Sequence, residues 1–111
     1  MKLYKGVRAP LTYKAIVYVD DTLLDISLSK SAVHDYGADA PEWGYYGSGP
    51  SQTAAAILLD VTGDAELTKK YHQEFKREFI ANFDQNSFIL LEMQIRMWLD
   101  QYKRSEEEGL W

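Results

Sequence analysis

A ten-residue block rich in aromatic residues and glycine constrains the fold of this 111-residue chain more than any other stretch. It contains three aromatic side chains and three of the seven glycines, and it reads Trp43-Gly44-Tyr45-Tyr46-Gly47-Ser48-Gly49-Pro50-Ser51-Gln52. An alanine run at residues 54–56 follows almost at once, and it favours a helix that packs closely against a sheet or another helix. Pro50 suits the first helical position, with Ser48 or Gly49 as the N-cap. The block therefore predicts a tight, shaped connection into a helix.

Short alternating segments before this block predict a small antiparallel sheet of about three strands within residues 2–28. Residues 2–8 alternate well enough for an edge strand, whereas Tyr13–Val19 is apolar on both faces and is expected to lie centrally. A third, half-buried strand is predicted where apolar residues alternate with polar ones, at Leu24, Ile26 and Leu28. The short connections between these segments predict a meander of antiparallel neighbours.

Helical periodicity after the block predicts helices at about 51–60, 65–82 and 91–105. The second helix carries an apolar stripe with a spacing of four residues, at Leu67, Tyr71, Phe75 and Phe79. The third helix places Leu91, Ile95, Trp98, Leu99 and Tyr102 on one buried face. Gly63 is typical of a helix C-cap and Asp64 of the next N-cap. A short strand fits residues 88–90, between the second and third helices.

We expect one α+β domain over residues 1–111, with the small sheet packed against two or three helices. Residues 29–41 show no periodicity and read as a long connecting loop. Residues 105–111 are expected to form a flexible tail, because the run Glu106–Glu108 places negative charge at a helix C-terminus.

Composition narrows the classes of function. The net charge is −5 and residues 31–63 hold four acids without a lysine or arginine, so nucleic-acid binding is disfavoured. The chain has no cysteine, which fits a cytoplasmic protein and excludes disulfides and thiolate metal sites. We expect no membrane association, since no stretch approaches the length of apolar sequence that spans a bilayer.

The block and its surroundings resemble a family of small, uncharacterised prokaryotic and phage-associated domains. The shared pattern is a β-rich start, a Trp-Gly-Tyr-x-Gly-Ser-Gly-Pro-x-Gln block, an alanine-rich helix and a later helix with a Phe-Lys pair, here Phe75-Lys76. The chain departs from that pattern at Tyr46, where the family has glycine, and at Thr53, where it has leucine. The resemblance covers most of residues 3–100 and supports the fold, and the family brings no activity with it.

Three interpretations of the block stay open at this level. Gly47 and Gly49 could supply positive φ angles in a turn, the N–H groups at the helix start could bind an anion, or the aromatic rings could form a contact surface. The candidate binding residues are Trp43, Tyr45, Tyr46, Gly47, Ser48, Gly49 and Gln52. We expect Trp43 to lie in the core and one of the two tyrosines to be exposed.

Other groupings match no catalytic or metal-binding pattern. The acids and histidines His34, Asp35, Asp39, Glu42 and His72 lack the spacing of known metal motifs. Ser48 lacks the context of a nucleophile elbow. Positive charges on the second helix are balanced by acids on the same helix and predict a solvated face. We therefore expect no catalytic residue, no metal and no cofactor.

The sequence favours a non-enzymatic accessory protein that binds an unknown protein partner, or a small ligand, through residues 43–52. The alternatives are an anion-binding protein or small enzyme that uses the same loop and, less favoured, an accessory of nucleic-acid processing. A homodimer is one further arrangement that the sequence leaves open.

Overall fold

The computed structural model describes residues 1–107 and residue 109. Within them, four strands form one antiparallel sheet: β1 (Leu3–Arg8), β2 (Ala15–Val19), β3 (Thr22–Leu23) and β4 (Phe88–Leu91). Four helices accompany it: α1 (Ser27–Ala32), α2 (Ser48–Thr62), α3 (Ala65–Glu78) and α4 (Glu92–Glu107). A 3₁₀ turn, Ile80–Asn82, follows α3. The predicted α+β class is confirmed, with one strand more than the three expected and a short first helix that the sequence did not indicate.

The strand order is β3-β2-β1-β4, so β1 lies inside the sheet. The prediction that residues 2–8 form an edge strand was therefore wrong, while the central position of β2 is confirmed. β4 pairs with β1 in antiparallel register, from Leu3 opposite Leu91 to Gly6 opposite Phe88. This pairing joins segments far apart in the chain, so an argument from short connections could not find it.

The two faces of the sheet differ in what covers them. Tyr4 and Val17 point toward the helices and are buried in the main core with Trp43. Leu3, Lys5 and Val7 share a face, as predicted, but this is the face turned away from the helices, because side chains alternate along a strand. The helices thus cover one face of the sheet only.

The predicted strand through Leu24, Ile26 and Leu28 is wrong, because β3 ends at Leu23 and α1 begins at Ser27. The Asp25 carboxylate accepts the Ser27 N–H at 2.8 Å, and this hydrogen bond lowers the pKa of Asp25. This hydrogen bond closes a local turn just before α1. Ile26 is buried with Ala38 and Ala56 in a small second cluster, which fixes the position of α1.

Helix α2 begins at Ser48, three residues before the predicted start, and every residue from Pro50 to Leu58 is buried. The N-cap is Gly47, and no side chain caps the helix, so the expectation of Ser48 or Gly49 as N-cap was wrong. The small alanines let α2 approach α3 closely, and Ala54 lies in the core that α2 shares with the sheet. Gly63, at φ +63°, ends α2 in the predicted left-handed conformation.

Helix α3 ends at Glu78, and the 3₁₀ turn takes up the rest of the span predicted as helix. The Asp64 side chain accepts the Leu67 N–H at 3.1 Å, which confirms the predicted N-cap. Tyr71 and Phe75 of the predicted stripe are buried, and Leu67 and Phe79 pack partly buried against the same core.

Helix α4 buries Ile95 and Leu99, as predicted. Trp98 is only partly buried. Its ring packs against α3, with the ring centre 5.6 Å from that of Phe75. Leu91 belongs to β4 and is exposed, so it is not part of the buried face of α4.

The span predicted as a flexible tail, 105–111, overlaps the end of α4, which is helical through Glu107. Flexibility of this span stays a prediction. The Glu106 carboxylate accepts the Tyr71 hydroxyl at 2.6 Å and lies 3.3 Å from the Lys70 ammonium. The rest of that prediction concerns Glu108, Leu110 and Trp111, which lie outside the described residues.

Candidate functional site

Trp43 anchors the block to the core, and its side chain is fully buried. Its indole Nε1 donates to the Asp84 carbonyl at 3.0 Å, and its ring meets Phe88 edge to face with centroids 5.0 Å apart. The guanidinium carbon of Arg8 lies 4.4 Å from the centre of the indole ring. The predicted core position of Trp43 is therefore confirmed, and Trp43 itself presents no surface to a partner.

Arg8, at the end of β1, supplies the counter-charge that residues 31–63 lack. Its Nη1 lies 2.8 Å from the Glu42 carboxylate, and its Nε donates to the Gln85 carbonyl at 2.8 Å. Because the Arg8 side chain is largely buried, this ion pair is shielded from solvent better than an ordinary surface pair. It ties the sheet to the start of the block.

The glycine that needs a left-handed backbone is Gly44, with φ +86°. Its N–H donates to the Ile80 carbonyl at 3.0 Å, which joins the block to the 3₁₀ turn. Gly47 is extended, with φ 172°, and Gly49 is not among the positive-φ residues. The hypothesis that Gly47 and Gly49 supply positive φ was therefore wrong, and it did not extend to Gly44, where the block does adopt the left-handed conformation.

Gly47 and Gly49 are instead places of close approach. A Cβ added to Gly47 would lie 2.9 Å from the Tyr45 ring, and one added to Gly49 would lie 2.8 Å from the Glu42 Cβ and 3.0 Å from the Tyr45 hydroxyl. The Tyr45 ring thus lies over the first turn of α2. Partial burial, and next the Glu42 carboxylate, raise the pKa of the Tyr45 hydroxyl.

Both tyrosines of the block reach the surface. Tyr45 is 44% exposed and Tyr46 is 64% exposed, where the sequence led us to expect exposure of only one. Ser48, at the start of α2, is exposed as well. We call the part of the surface formed by Tyr45, Tyr46 and Ser48 the tyrosine surface.

Gln52 ends the block in the interior and is fully buried. Its Oε1 accepts the Tyr36 N–H at 2.8 Å, and its Nε2 donates to the Ser29 hydroxyl and the His34 carbonyl, both at 2.9 Å. Gln52 therefore holds the loop before the block in place from the interior.

A polar cluster that the sequence did not indicate extends from this loop to α3. His72 is buried, and its Nδ1 lies 2.8 Å from the Thr68 carbonyl, which can only accept a hydrogen bond. In the neutral ring, Nε2 therefore accepts the Tyr36 hydroxyl at 2.6 Å, and Gln73 Nε2 donates to the same hydroxyl oxygen at 2.5 Å. Burial is the largest of several influences on the pKa of His72, and it lowers that pKa below its ordinary value.

Beside this cluster, Lys76 Nζ lies 3.0 Å from the Ser51 hydroxyl. Ser51 is 3% exposed and lies in the middle of a buried helical segment. The pair therefore joins α2 to α3.

The histidines and acids weighed as a metal or acid–base set do not assemble into one site among the described residues. The His34 ring packs edge to face on Tyr36, Glu42 pairs with Arg8, and Asp35 accepts the Gly37 N–H. In the described part of the chain, no three such side chains come together as they would to hold a metal ion.

The basic residues of α3 are engaged in the same way. Lys69 pairs with Glu66, Arg77 with Glu74 and Lys70 with Glu106. Lys76 contacts Ser51 instead. This pattern fits a solvated helix face better than a phosphate-binding one.

The fold and this geometry define a class: a small α+β domain with helices on one face of a four-stranded sheet and an aromatic, glycine-rich block before the second helix. The chain belongs to a family of unknown function, DUF6166, whose sequence pattern matches residues 4–101. This confirms the predicted membership in an uncharacterised family. No curated protein and no solved structure matches the chain. No helix among the described residues is long and apolar enough to cross a membrane.

Proposed function

We propose that this protein is a non-enzymatic accessory protein that binds a partner protein through the tyrosine surface. The observation that carries the proposal is the exposure of two adjacent tyrosines on a backbone that is held on both sides. Trp43 is fully buried before them, and the buried part of α2 begins soon after them at Pro50. Exposed aromatic side chains on a fixed backbone are typical of the residues that dominate protein interfaces.

A rigid support matters because ordering a loop on binding costs free energy. The hydrogen bond from the Gly44 N–H to the Ile80 carbonyl and the contacts of Trp43 hold this segment before any partner arrives. Each tyrosine offers a large apolar area and a hydroxyl while losing few rotatable bonds. A partner would then gain contact area without ordering the segment itself.

Polar groups beside the tyrosine surface support a protein partner. The Glu42 side chain, which pairs with Arg8, lies against Gly49 next to the Tyr45 hydroxyl. Aromatic side chains with polar groups beside them are typical of an interface.

The alternative, a ligand or anion bound at the start of α2, has less support. The helix has no capping side chain, which leaves its first N–H groups available, but Pro50 contributes none. The Glu42 side chain lies against Gly49 and would repel an anion there. Since the acids and histidines near the block do not assemble into one site among the described residues, the enzymatic version lacks an assembled acid–base pair to build on.

We also place this function in the cytoplasm of a prokaryotic cell or in a phage-associated setting. The absence of cysteine and the resemblance carried by the Trp-Gly-Tyr block support this setting.

The test compares three immobilised proteins in lysate from the native host: the wild type, a Tyr45→Ala/Tyr46→Ala variant and a Leu28→Ala/Met97→Ala control. The control removes two side chains of similar exposure, 65% and 58%, from other parts of the surface. We expect the wild type and the control to retain one partner that the tyrosine variant loses. With the purified partner, the tyrosine variant should bind at least about tenfold more weakly. Equal recovery of partners by all three proteins would exclude the tyrosine surface as the binding site.

A further inference from the structure

Strand β4 lies at the edge of the sheet, with β1 on one side and no strand on the other in the described part of the chain. The Glu92 N–H donates to the Lys2 carbonyl, so the even-numbered residues of this segment bond to β1. Backbone groups alternate in direction along a strand, and the N–H and C=O of Ile89 therefore point away from the sheet. The Leu91 N–H also points outward, and the Gln94 side chain accepts it at 2.9 Å.

The β4 edge carries no charge or proline that would oppose pairing with another strand. The strand reads Phe88-Ile89-Leu90-Leu91, without a charge, a proline or a glycine. Ile89 is 63% exposed and Leu91 is 48% exposed, on the face that no helix covers. An uncharged edge with exposed apolar side chains can pair with another strand. The opposite edge differs, since β3 has only two residues and follows Asp20 and Asp21.

We propose that β4 pairs antiparallel with β4 of a second copy of this chain, so that two four-stranded sheets join into one. The two-fold axis would pass beside Ile89, whose outward N–H and C=O would exchange hydrogen bonds with those of Ile89 in the second copy. Antiparallel pairing of identical strands has this symmetry by construction and uses the same surface on both molecules. The proposal concerns a surface separate from the tyrosine surface and stands or falls independently of it.

The register that places Ile89 opposite its own copy leaves no charge in an unfavourable position. It sets Phe88 opposite Leu90, Ser87 opposite Leu91 and Asn86 opposite Glu92 of the second copy. Phe88 and Leu90 lie on the buried face, while the two Ile89 side chains meet on the outer face. Glu92 is already paired with Arg96 on its own helix and accepts the Lys2 N–H. A second copy would therefore pair with the outward N–H and C=O of Ile89, while the Leu91 N–H keeps its hydrogen bond to Gln94.

The first experiment measures mass in solution by sedimentation equilibrium over a wide range of concentrations. We expect the wild type to approach twice its 12.8 kDa as the concentration rises. Ile89→Lys places two like charges side by side at the axis and should stay monomeric. Leu23→Lys is the matched control, because Leu23 is 62% exposed on the same face of the sheet at the far edge, and it should dimerise like the wild type. Circular dichroism checks that both variants are folded.

The second experiment locates the contact. Residues opposite each other in a hydrogen-bonded antiparallel pair have Cα atoms about 5.5 Å apart, which a disulfide can bridge. Since the chain has no cysteine, Ile89→Cys carries a single thiol, and mild oxidation should link it into a dimer. Leu23→Cys should link far more slowly. In the wild type, hydrogen exchange of the Ile89 amide should slow as the concentration rises.

Each other outcome overturns the proposal. A wild-type protein that stays monomeric, with an Ile89 amide that exchanges at the same rate at every concentration, leaves this edge without a second copy. Loss of the dimer in Leu23→Lys as well as in Ile89→Lys would mean that the sheets stack face to face. An Ile89→Lys variant that still dimerises would place the contact elsewhere.

Discussion

Replacing Gly44 with alanine tests whether the backbone before the tyrosine surface is fixed by its own geometry. At φ +86°, a residue with a Cβ pays roughly 1–2 kcal/mol for a left-handed conformation. The added Cβ would lie 3.1 Å from the Gln85 Cα and 3.2 Å from the Phe83 carbonyl oxygen, so backbone must shift to admit it. Overpacking of this kind costs about 1–3 kcal/mol. We therefore expect Gly44→Ala to lower the free energy of unfolding by roughly 2–5 kcal/mol.

The matched control is Gly47→Ala, in the same block. Gly47 is extended at φ 172°, which any residue adopts, and its added Cβ would meet only the Tyr45 ring, at 2.9 Å. That ring is partly exposed and can swing outward, so the free energy of unfolding should fall by less than about 1 kcal/mol. Guanidinium chloride unfolding followed by tryptophan fluorescence measures both variants against the wild type.

Thermal unfolding gives a second measure of the same difference. For a domain of this size, one kcal/mol corresponds to about 4 °C in Tm, so Gly44→Ala should melt at least about 8 °C below the wild type. If the free energy of unfolding of Gly44→Ala lies within about 0.5 kcal/mol of the wild-type value, the segment relaxes freely. The tyrosine surface would then lack a rigid support.

Three further predictions concern the helices. Trp98→Ala should lower the free energy of unfolding by about 3 kcal/mol, at the low end for a tryptophan because Trp98 is only partly buried, and denaturant unfolding measures this. Burial lowers the pKa of His72 in the folded protein, so the unfolded chain binds more protons. The free energy of unfolding should therefore fall as the pH drops below about 6.5. His72→Gln should remove that part of the fall, which unfolding experiments between about pH 5 and 8 measure. The Tyr71 hydroxyl holds the pKa of Glu106 below its usual value, so Tyr71→Phe should raise that pKa in an NMR titration, and an unchanged value would mean that the helix end is not docked on α3.

Helices, helix caps and the interior strand could be predicted from the amino-acid sequence, because they depend on near neighbours along the chain. The spacing of apolar residues predicted α3 and the buried face of α4, and the pair Gly63 and Asp64 predicted the break before α3. The β-branched and aromatic run within Tyr13–Val19 predicted an interior strand. These succeeded because helix periodicity and caps act within a few residues. The same local logic predicted a core position for Trp43.

Strand order, burial and exposure depend on residues far apart in the chain, and they became clear from the three-dimensional structure. β1 lies inside the sheet because β4, more than eighty residues later, pairs with it. Gln52 is buried because Tyr36, Ser29 and His34 supply its hydrogen bonds, and no pattern along the chain shows such a set. The alternation at Leu24–Leu28 gave way to α1 because Ile26 finds a buried site against Ala56. Pairing and burial are set by the whole fold, and for that reason the free edge at Ile89 and the exposure of both Tyr45 and Tyr46 emerged only from the three-dimensional arrangement.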